Sequence, residues 1–471
     1  MKIEWRAAGG AMCLFAVLLF GGCQTAPVSN VSTTNANTNA TPQAAASASP
    51  VAATNASATG APVTLPVLDA LFADDQFAPA LKSQLQLSDD EIERLRKAAR
   101  EDTAALRESD GGEYSGTTTA ATARAAERIK AVLGDEKAAR FNEFVRTRWA
   151  GGGESGADAS VSNKPNAVPT DTRIVVNAPA YRMDVFENGQ LVKTYKVGIG
   201  YPEFPLPTGL RTARTIIFNP TWTPPDEPWV ESPTSKVKVG QKVEAGSPLN
   251  PLGPIKIPIG LPSLIHGGKS PAKLGGFASH GCVGLTNAQV QDVARVIAQI
   301  GGAQLTDEDM AAYAKNRTET KEVKLDKPVQ VELRYETIVV EDGKLHIYRD
   351  VYDHGTNTEE NLRAVLQANG VSLDSLSEGE RAQVLNALQQ MARDATGKPA
   401  DGTPEASPTP TSGASNKNAN AKSDAESRKV TRAVKGQKEI VVEIAALRGK
   451  GYPAPVALDA GGGETKAASK K

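Results

Sequence analysis

Three tracts of this chain are too polar to bury a core, and they divide what remains. Residues 24–63 are dominated by Ala, Ser, Thr, Asn and Pro, residues 151–169 by Gly, Ser, Asp and Asn, and residues 398–435 by small polar and charged residues. Such stretches cannot bury enough apolar surface to offset the entropy of ordering, so each is expected to be a disordered linker. Folding is thereby confined to residues 64–150, to residues 170–397 and to a C-terminal segment, 436–471. A length of 471 residues gives room for two or three compact units.

The first 23 residues read as an export signal. Lys2 and Arg6 precede an apolar run from Ala11 to Phe20, followed by Gly21-Gly22-Cys23. A basic end, a short apolar core and small residues before a break form that pattern, and the run is short for a membrane-spanning helix. The Phe20-Gly21-Gly22-Cys23 junction resembles a bacterial lipobox, with Phe where Leu is more usual. The resemblance implies that Cys23 becomes the lipidated N-terminus and that Cys13 leaves with the signal; an ordinary cleaved signal without lipid is the alternative. Gln24 in place of Asp implies outer-membrane sorting in a Gram-negative cell, with the protein on the periplasmic face. As a flexible coil, the 24–63 tether would span about 35 Å.

Residues 64–150 have the pattern of a small helical module. Ser88-Asp89-Asp90-Glu91 is a capping box, and Ile92, Leu95, Ala99 and Leu106 follow on one helix side. Ala120–Leu133 and Glu136–Trp149 predict two further helices, broken at Gly134-Asp135. Leu85-Gln86-Leu87-Ser88 and Val132-Leu133-Gly134-Asp135-Glu136 resemble phrases of Spy-type periplasmic helical proteins. That likeness assigns no residue roles. A site for a periplasmic protein partner and a plain structural bundle both stay open.

Residues 170–355 change to short strands with Pro and Gly punctuation, which predicts a mainly β domain. Arg173–Asn177 and Tyr181–Phe186 are strand-like, Asn188-Gly189 is a hairpin turn, and Leu191–Ile199 returns. Arg214–Phe218 is a further strand. The alternation from Val329 to Val340 predicts one long strand, turned by Asp342-Gly343 and answered by Leu345–Val351. Asn361–Ala368 and Ser377–Thr396 predict a helical extension over 356–397, and Ile440–Leu447 an edge strand.

The chain holds three cysteines and four histidines. With Cys13 and Cys23 in the export signal, Cys282 is the thiol expected in the mature fold, and no disulfide framework is expected. It ends Ser279-His280-Gly281-Cys282, with His266 upstream in Ile265-His266-Gly267. A thiol attacks as thiolate, and a nearby histidine lowers its pKa, so Cys282 is expected to be depressed, mainly by His266 and secondarily by His280. Gly281 permits a tight turn that could aim main-chain N–H groups at an oxyanion. Thr286-Asn287-Ala288-Gln289 starts a helix carrying Val290, Val293, Ala294, Ile297 and Ile300, with Gly301 at its end. A lone cysteine is otherwise a small buried hydrophobe. His346 and His354 are expected to be surface or packing residues. No paired-Cys or His-x3-His metal pattern is present, and a net charge of −1 argues against nucleic acid as a partner.

The order of upstream His, Gly-rich gap and Ser-His-Gly-Cys resembles the L,D-transpeptidase catalytic domain of the YkuD type. Similar phrases in similar order extend the likeness over roughly residues 170–355. The resemblance implies a β-sandwich or barrel-like fold with the cysteine at one end of a cleft, and chemistry without metal or cofactor. It implies that a cysteine thiolate attacks a peptidoglycan stem peptide at its third residue, releases D-alanine and passes the acyl group from a thioester to an amine. Carried over, Cys282 is the nucleophile, His266 the general base oriented by the carbonyl of Gly267, and His280 a histidine that shapes the site. Ser279 belongs to the same motif, and the N–H groups of Gly281 and Cys282 would form the oxyanion hole. Gly284 departs from the family, where Arg or Asn is common; Arg211 or Lys269 could supply a charge for the stem carboxylate, or both could be solvated surface residues. Two other readings remain: a secreted cysteine peptidase or carboxypeptidase acting on cell-wall peptides, and a non-catalytic wall-binding lipoprotein. Secreted cysteine peptidases usually place His well downstream of Cys, and here His266 and His280 precede it.

Overall fold

The computed structural model describes residues 63–105, 117–150, 162, 164–224, 236–260, 263–399 and 433–458. The export signal with Cys13 and Cys23, the tether up to residue 62, most of the 151–169 and 398–435 tracts and the tail from 459 lie outside the described residues. No helix among the described residues is long and apolar enough to cross a membrane.

The N-terminal module contains four helices: α1 Leu65–Phe72, α2 Phe77–Leu85, α3 Asp89–Ala105 and α4 Thr118–Ala150. Thr64 caps α1, its hydroxyl accepting from Val67 N–H at 3.2 Å. The expected box at Ser88 forms, with Glu91 N–H on Ser88 Oγ at 3.2 Å and Ser88 N–H on the Glu91 carboxylate at 2.8 Å. Gly134 adopts a positive φ of 76° and breaks α4 where the sequence predicts it. The apolar pattern buries Leu65, Leu68, Phe77, Leu81, Leu95, Ile129, Phe141 and Val145 in one core. Helices α1 and α2 went unread in the sequence, because each is shorter than the window that periodicity needs.

The β region begins with β1 Arg173–Asn177, β2 Arg182–Glu187, β3 Gln190–Lys196 and β4 Ile199–Gly200. It continues through β5 Gly209–Phe218, β6 Ile255–Pro258, β7 Leu264–His266, β8 Phe277–Ser279 and β9 Val283–Gly284. Helices α5 Asn287–Ile300 and α6 Asp307–Lys315 follow, then β10 Lys321–Arg334. Eight strands form one mixed sheet in the order β3-β2-β1-β10-β5-β6-β7-β9, curled into half a barrel, while β4 and β8 pair separately. The region is therefore mainly β. Asn188 and Gly189 both take positive φ, 50° and 78°, as a two-residue hairpin between β2 and β3 requires. β10 shifts register between Lys324 and Val329, beside Pro328, which has no N–H to give the ladder. Inside the curl, α5 lays Val290, Val293, Ala294 and Ile297 against Ile257, Ile265, Val283 and Val331.

The long strand expected over Val329–Val340 is two strands. β10 ends at Arg334, and after Tyr335-Glu336-Thr337 the chain enters β11 Ile338–Glu341 in a different sheet. With β12 Lys344–Tyr348, α7 Glu359–Ala368, α8 Glu378–Met391 and β13 Glu439–Glu443, it builds a separate α/β layer with its own core. The apolar alternation runs on across the break because both halves are buried, so periodicity alone does not reveal the change of sheet. β13 pairs antiparallel with β12, as the edge-strand reading of 440–447 expects.

Candidate active site

The site is built from the last strands of the curled sheet. β7 and β9 pair in parallel, with Ile265 opposite Val283 and His266 opposite Gly284. Ile265 and Val283 both face the core at zero exposure. Strand alternation then points His266 and Gly284 to the other face, and Cys282 sits in the bend that leads into β9. The parallel pairing thus brings the two distant parts of the motif together.

Main-chain bonds hold the His266 strand end in place. Leu285 N–H donates to His266 O at 2.9 Å, Gly267 N–H to Ile255 O at 3.2 Å and Lys269 N–H to Leu285 O at 3.0 Å. Asn287, the first residue of α5, accepts from Gly268 N–H through its side chain at 2.8 Å. Thr286 and Gln289 form the predicted reciprocal cap. The helix start is thereby tied to the residues just after His266.

His266 is buried, and its Nδ1 lies 2.8 Å from Gly267 O. A carbonyl only accepts, so Nδ1 carries the proton and Nε2 is left as the basic nitrogen. Burial pushes the pKa of His266 down to about 3, the charge of Lys269 adds to this, and the carbonyls of Gly267 and Leu252 oppose it. The imidazole is therefore neutral around pH 7.

Cys282 is half-buried and unpaired. Ser279 ties its turn: the Ser279 hydroxyl donates to Cys282 O at 2.5 Å and accepts from Cys282 N–H at 3.0 Å. Gly281 adopts a φ of 90°, and its carbonyl accepts from Ser263 Oγ at 2.9 Å. The turn therefore depends on Gly281 for its backbone shape. One expectation is corrected here. The Cys282 N–H, expected to point at an oxyanion, is already donated to Ser279, whereas Gly281 N–H makes no hydrogen bond among the described residues.

A second expectation, that the thiol is depressed by His266, is also corrected. Burial pushes the Cys282 thiol up, and the groups that pull it back are the Leu264 N–H and the Lys269 ammonium. A neutral histidine carries no charge with which to lower a neighbouring thiol.

His280 is held by aromatic rings. Phe204 meets it edge-on at 4.7 Å and Tyr201 at 5.3 Å. Tyr201 N–H donates to Ser279 O at 3.0 Å, which ties this aromatic loop to the turn. Neither ring was picked out from the sequence, since both lie far upstream in a Pro-rich stretch. Arg211 is fully buried on β5, with its pKa lowered to about 9 by burial, so it does not offer a surface charge. His346 contacts Glu439 at 2.6 Å and His354 packs against Tyr335 at 4.3 Å.

Residues 171–331 match the model of the YkuD family, the L,D-transpeptidase catalytic domain. This region of the chain is accordingly a YkuD-type domain, and its strands hold the whole His266–Cys282 motif. The match stops short of residue 355, close to where the chain leaves the large sheet. Among solved structures, the Ldtfm–avibactam carbamoyl enzyme is 15% identical with a TM-score of 0.22, over 34% of this chain and 48% of that one. The catalytic domain from the E. faecium L,D-transpeptidase is 15% identical with a TM-score of 0.23, over 36% of this chain and 99% of that one. L,D-transpeptidase 3 from Mycobacterium tuberculosis is 15% identical with a TM-score of 0.20, over 35% of this chain and 60% of that one. The chain thus spans less than two thirds of the length of the first and third. No curated protein gives a significant match.

Proposed function

We propose that this protein is a peptidoglycan L,D-transpeptidase that works through Cys282. The observation that supports the reading is the parallel pairing of β7 with β9, which sets His266 opposite Gly284, two residues from Cys282, within a YkuD-type domain. The Cys282 thiolate attacks the carbonyl of the third stem residue, the bond to D-alanine breaks, and a thioester forms. An amine of a second stem, or of a wall-linked protein, then takes the acyl group and frees the thiolate. His266, with Nδ1–H held by Gly267 O, has Nε2 as the nitrogen that accepts a proton from the thiol or the incoming amine. Gly281 N–H is suited to the developing oxyanion. Ser279 fixes the turn, and His280 shapes its wall. On this reading the protein is exported, and Cys23 carries a lipid anchor; equal solubility of wild type and Cys23→Ser in cell fractionation would overturn the anchor.

Intact-protein mass spectrometry after incubation with a tetrapeptide stem tests the chemistry. The expected result is a thioester adduct on the wild type with loss of D-alanine, and none on Cys282→Ala with its fold unchanged. His266→Gln should slow acylation by about 10²- to 10⁴-fold, the usual scale of general-base catalysis. Near-normal D-alanine release by Cys282→Ala would remove the cysteine from the mechanism. Release without transfer to any amine would make the protein a hydrolase.

A further inference from the structure

The absence of a side chain at residue 284 has a structural counterpart. A Cβ built on Gly284 would lie 2.9 Å from Lys269 Cγ, 3.1 Å from Cε and 3.5 Å from Cδ. The aliphatic stem of Lys269 therefore runs directly over Gly284, in space that any other residue would fill. Lys269 is fixed at its base by its N–H bond to Leu285 O, one residue beyond Gly284. Gly284 stands opposite His266 in the β7–β9 register and two residues after Cys282. The stem thus crosses the strand position that lies beside His266 and follows Cys282.

The charge at the end of that stem bears on both. The Lys269 ammonium favours the Cys282 thiolate and disfavours a His266 imidazolium. Among the described residues Lys269 makes no ion pair, so its charge is not spent on a carboxylate. The other charged group acting on it is Lys273, which repels it. His266 is neutral, and His280 sits between the Phe204 and Tyr201 rings. Lys269 is therefore a cation that offsets part of the burial of the Cys282 sulfur.

We propose that Lys269, laid across Gly284, tunes the ionisation of Cys282: its ammonium offsets part of the cost of burying the sulfur as thiolate and disfavours a His266 imidazolium. Residues 269 and 284 act as a pair, because the Lys269 stem lies in space that a side chain at 284 would fill. Lys269 is a positioning residue for charge, acting through Cys282 rather than on substrate. The inference rests on the reading of Cys282 as nucleophile, but its test does not need the stem peptide.

The test is the rate of iodoacetamide alkylation of Cys282 against pH, on the full chain, for wild type, Lys269→Met, Lys269→Arg and Gly284→Ala. An opposite charge close by moves a pKa by about 1–3 units, so the midpoint of Lys269→Met should rise by about that much. Lys269→Arg keeps the charge and should return the midpoint to near the wild-type value. Gly284→Ala should push the stem aside and move the midpoint in the same direction by less; it also supplies the readout should the Met variant fail to fold. An unmoved midpoint in folded Lys269→Met, or in folded Gly284→Ala if the Met variant does not fold, would overturn the proposal. A shifted midpoint in a protein that forms no thioester with a stem peptide would sink the transpeptidase reading and leave the role of Lys269 standing.

Discussion

The N-terminal helices and the C-terminal α/β layer both pack on the β region, but by different contacts. The C-terminal layer is joined through buried charge beside a shared apolar cluster of Val175, Phe186, Val339, Tyr348 and Tyr452. Arg182 on β2 donates to Asp184 at 2.8 Å, to Glu341 of β11, and to Pro453 O at 3.2 Å, and Tyr452 donates to Asp184 at 3.2 Å. Arg173 and Arg334 extend the row through Glu332 on the same strands. The N-terminal helices instead make a few hydrogen bonds. Thr64 donates to Glu203 O at 2.6 Å and Thr118 to Pro202 O at 2.8 Å, while the Thr118 and Thr119 N–H groups donate to the Asp353 carboxylate at 2.8 and 2.9 Å. Pro202 and Glu203 lie between Tyr201 and Phe204, whose rings hold His280. The difference teaches that the C-terminal layer is fastened to the side strands, whereas the helices grip the loop whose rings hold His280. Loss of the first should cost stability, and loss of the second should disturb the site.

The largest effect is expected from Arg182→Met. It strands two buried carboxylates, a change that typically costs about 3–5 kcal/mol. Thermal unfolding should show the loss, while the alkylation midpoint of Cys282 should stay in place. A loss no larger than that of a surface substitution would mean that apolar packing, not charge, fastens this layer.

Next comes the helix contact at Asp353, which should respond to pH. Burial, with Asp350 adding, raises its pKa to about 7, while its bonds to Thr118 and Thr119 pull the other way. The folded value lies above the unfolded one, so Asp353 stabilises the fold most below about pH 4, where both states are protonated, and that contribution is lost as pH rises through 7. Thermal unfolding should therefore occur at a lower temperature at pH 8 than at pH 5, and Asp353→Asn should flatten that difference; an unchanged pH dependence in this variant would show that another group controls it.

The smallest effect is expected from Thr64→Val. It removes both the α1 cap and the bond to Glu203 O, with an expected loss of about 0.5–2 kcal/mol. If the same variant also changes D-alanine release at a temperature where it is folded, the helices are coupled to the site through the 201–204 loop. Unchanged release would make the helices a support only.

Much of the fold was legible because its signals are local. The Asn188-Gly189 turn, the Ser88–Glu91 and Thr286–Gln289 caps and the Gly134 break each depend on residues within about one helical turn or one hairpin, which a linear reading sees. The candidate site was legible as a motif, since Ser279, His280, Gly281 and Cys282 are contiguous and His266 lies just upstream. Its electrostatics were not. A sequence shows that a histidine stands near a cysteine, but not that the histidine is buried and neutral.

What the sequence determined by itself was thus the β-rich centre, the helical module, several turns and caps, and the identity of the cysteine and histidines of the motif. The tertiary structure alone decided that β7 and β9 run side by side, that Tyr201 and Phe204 close on His280, that the 329–340 stretch divides between two sheets, and that Lys269 takes the space over Gly284. The physical reason is common to all four. Turns and caps are fixed by backbone sterics and short-range hydrogen bonds, whereas strand partners, ring contacts and the path of a long flexible side chain depend on which distant surfaces the packed chain brings together.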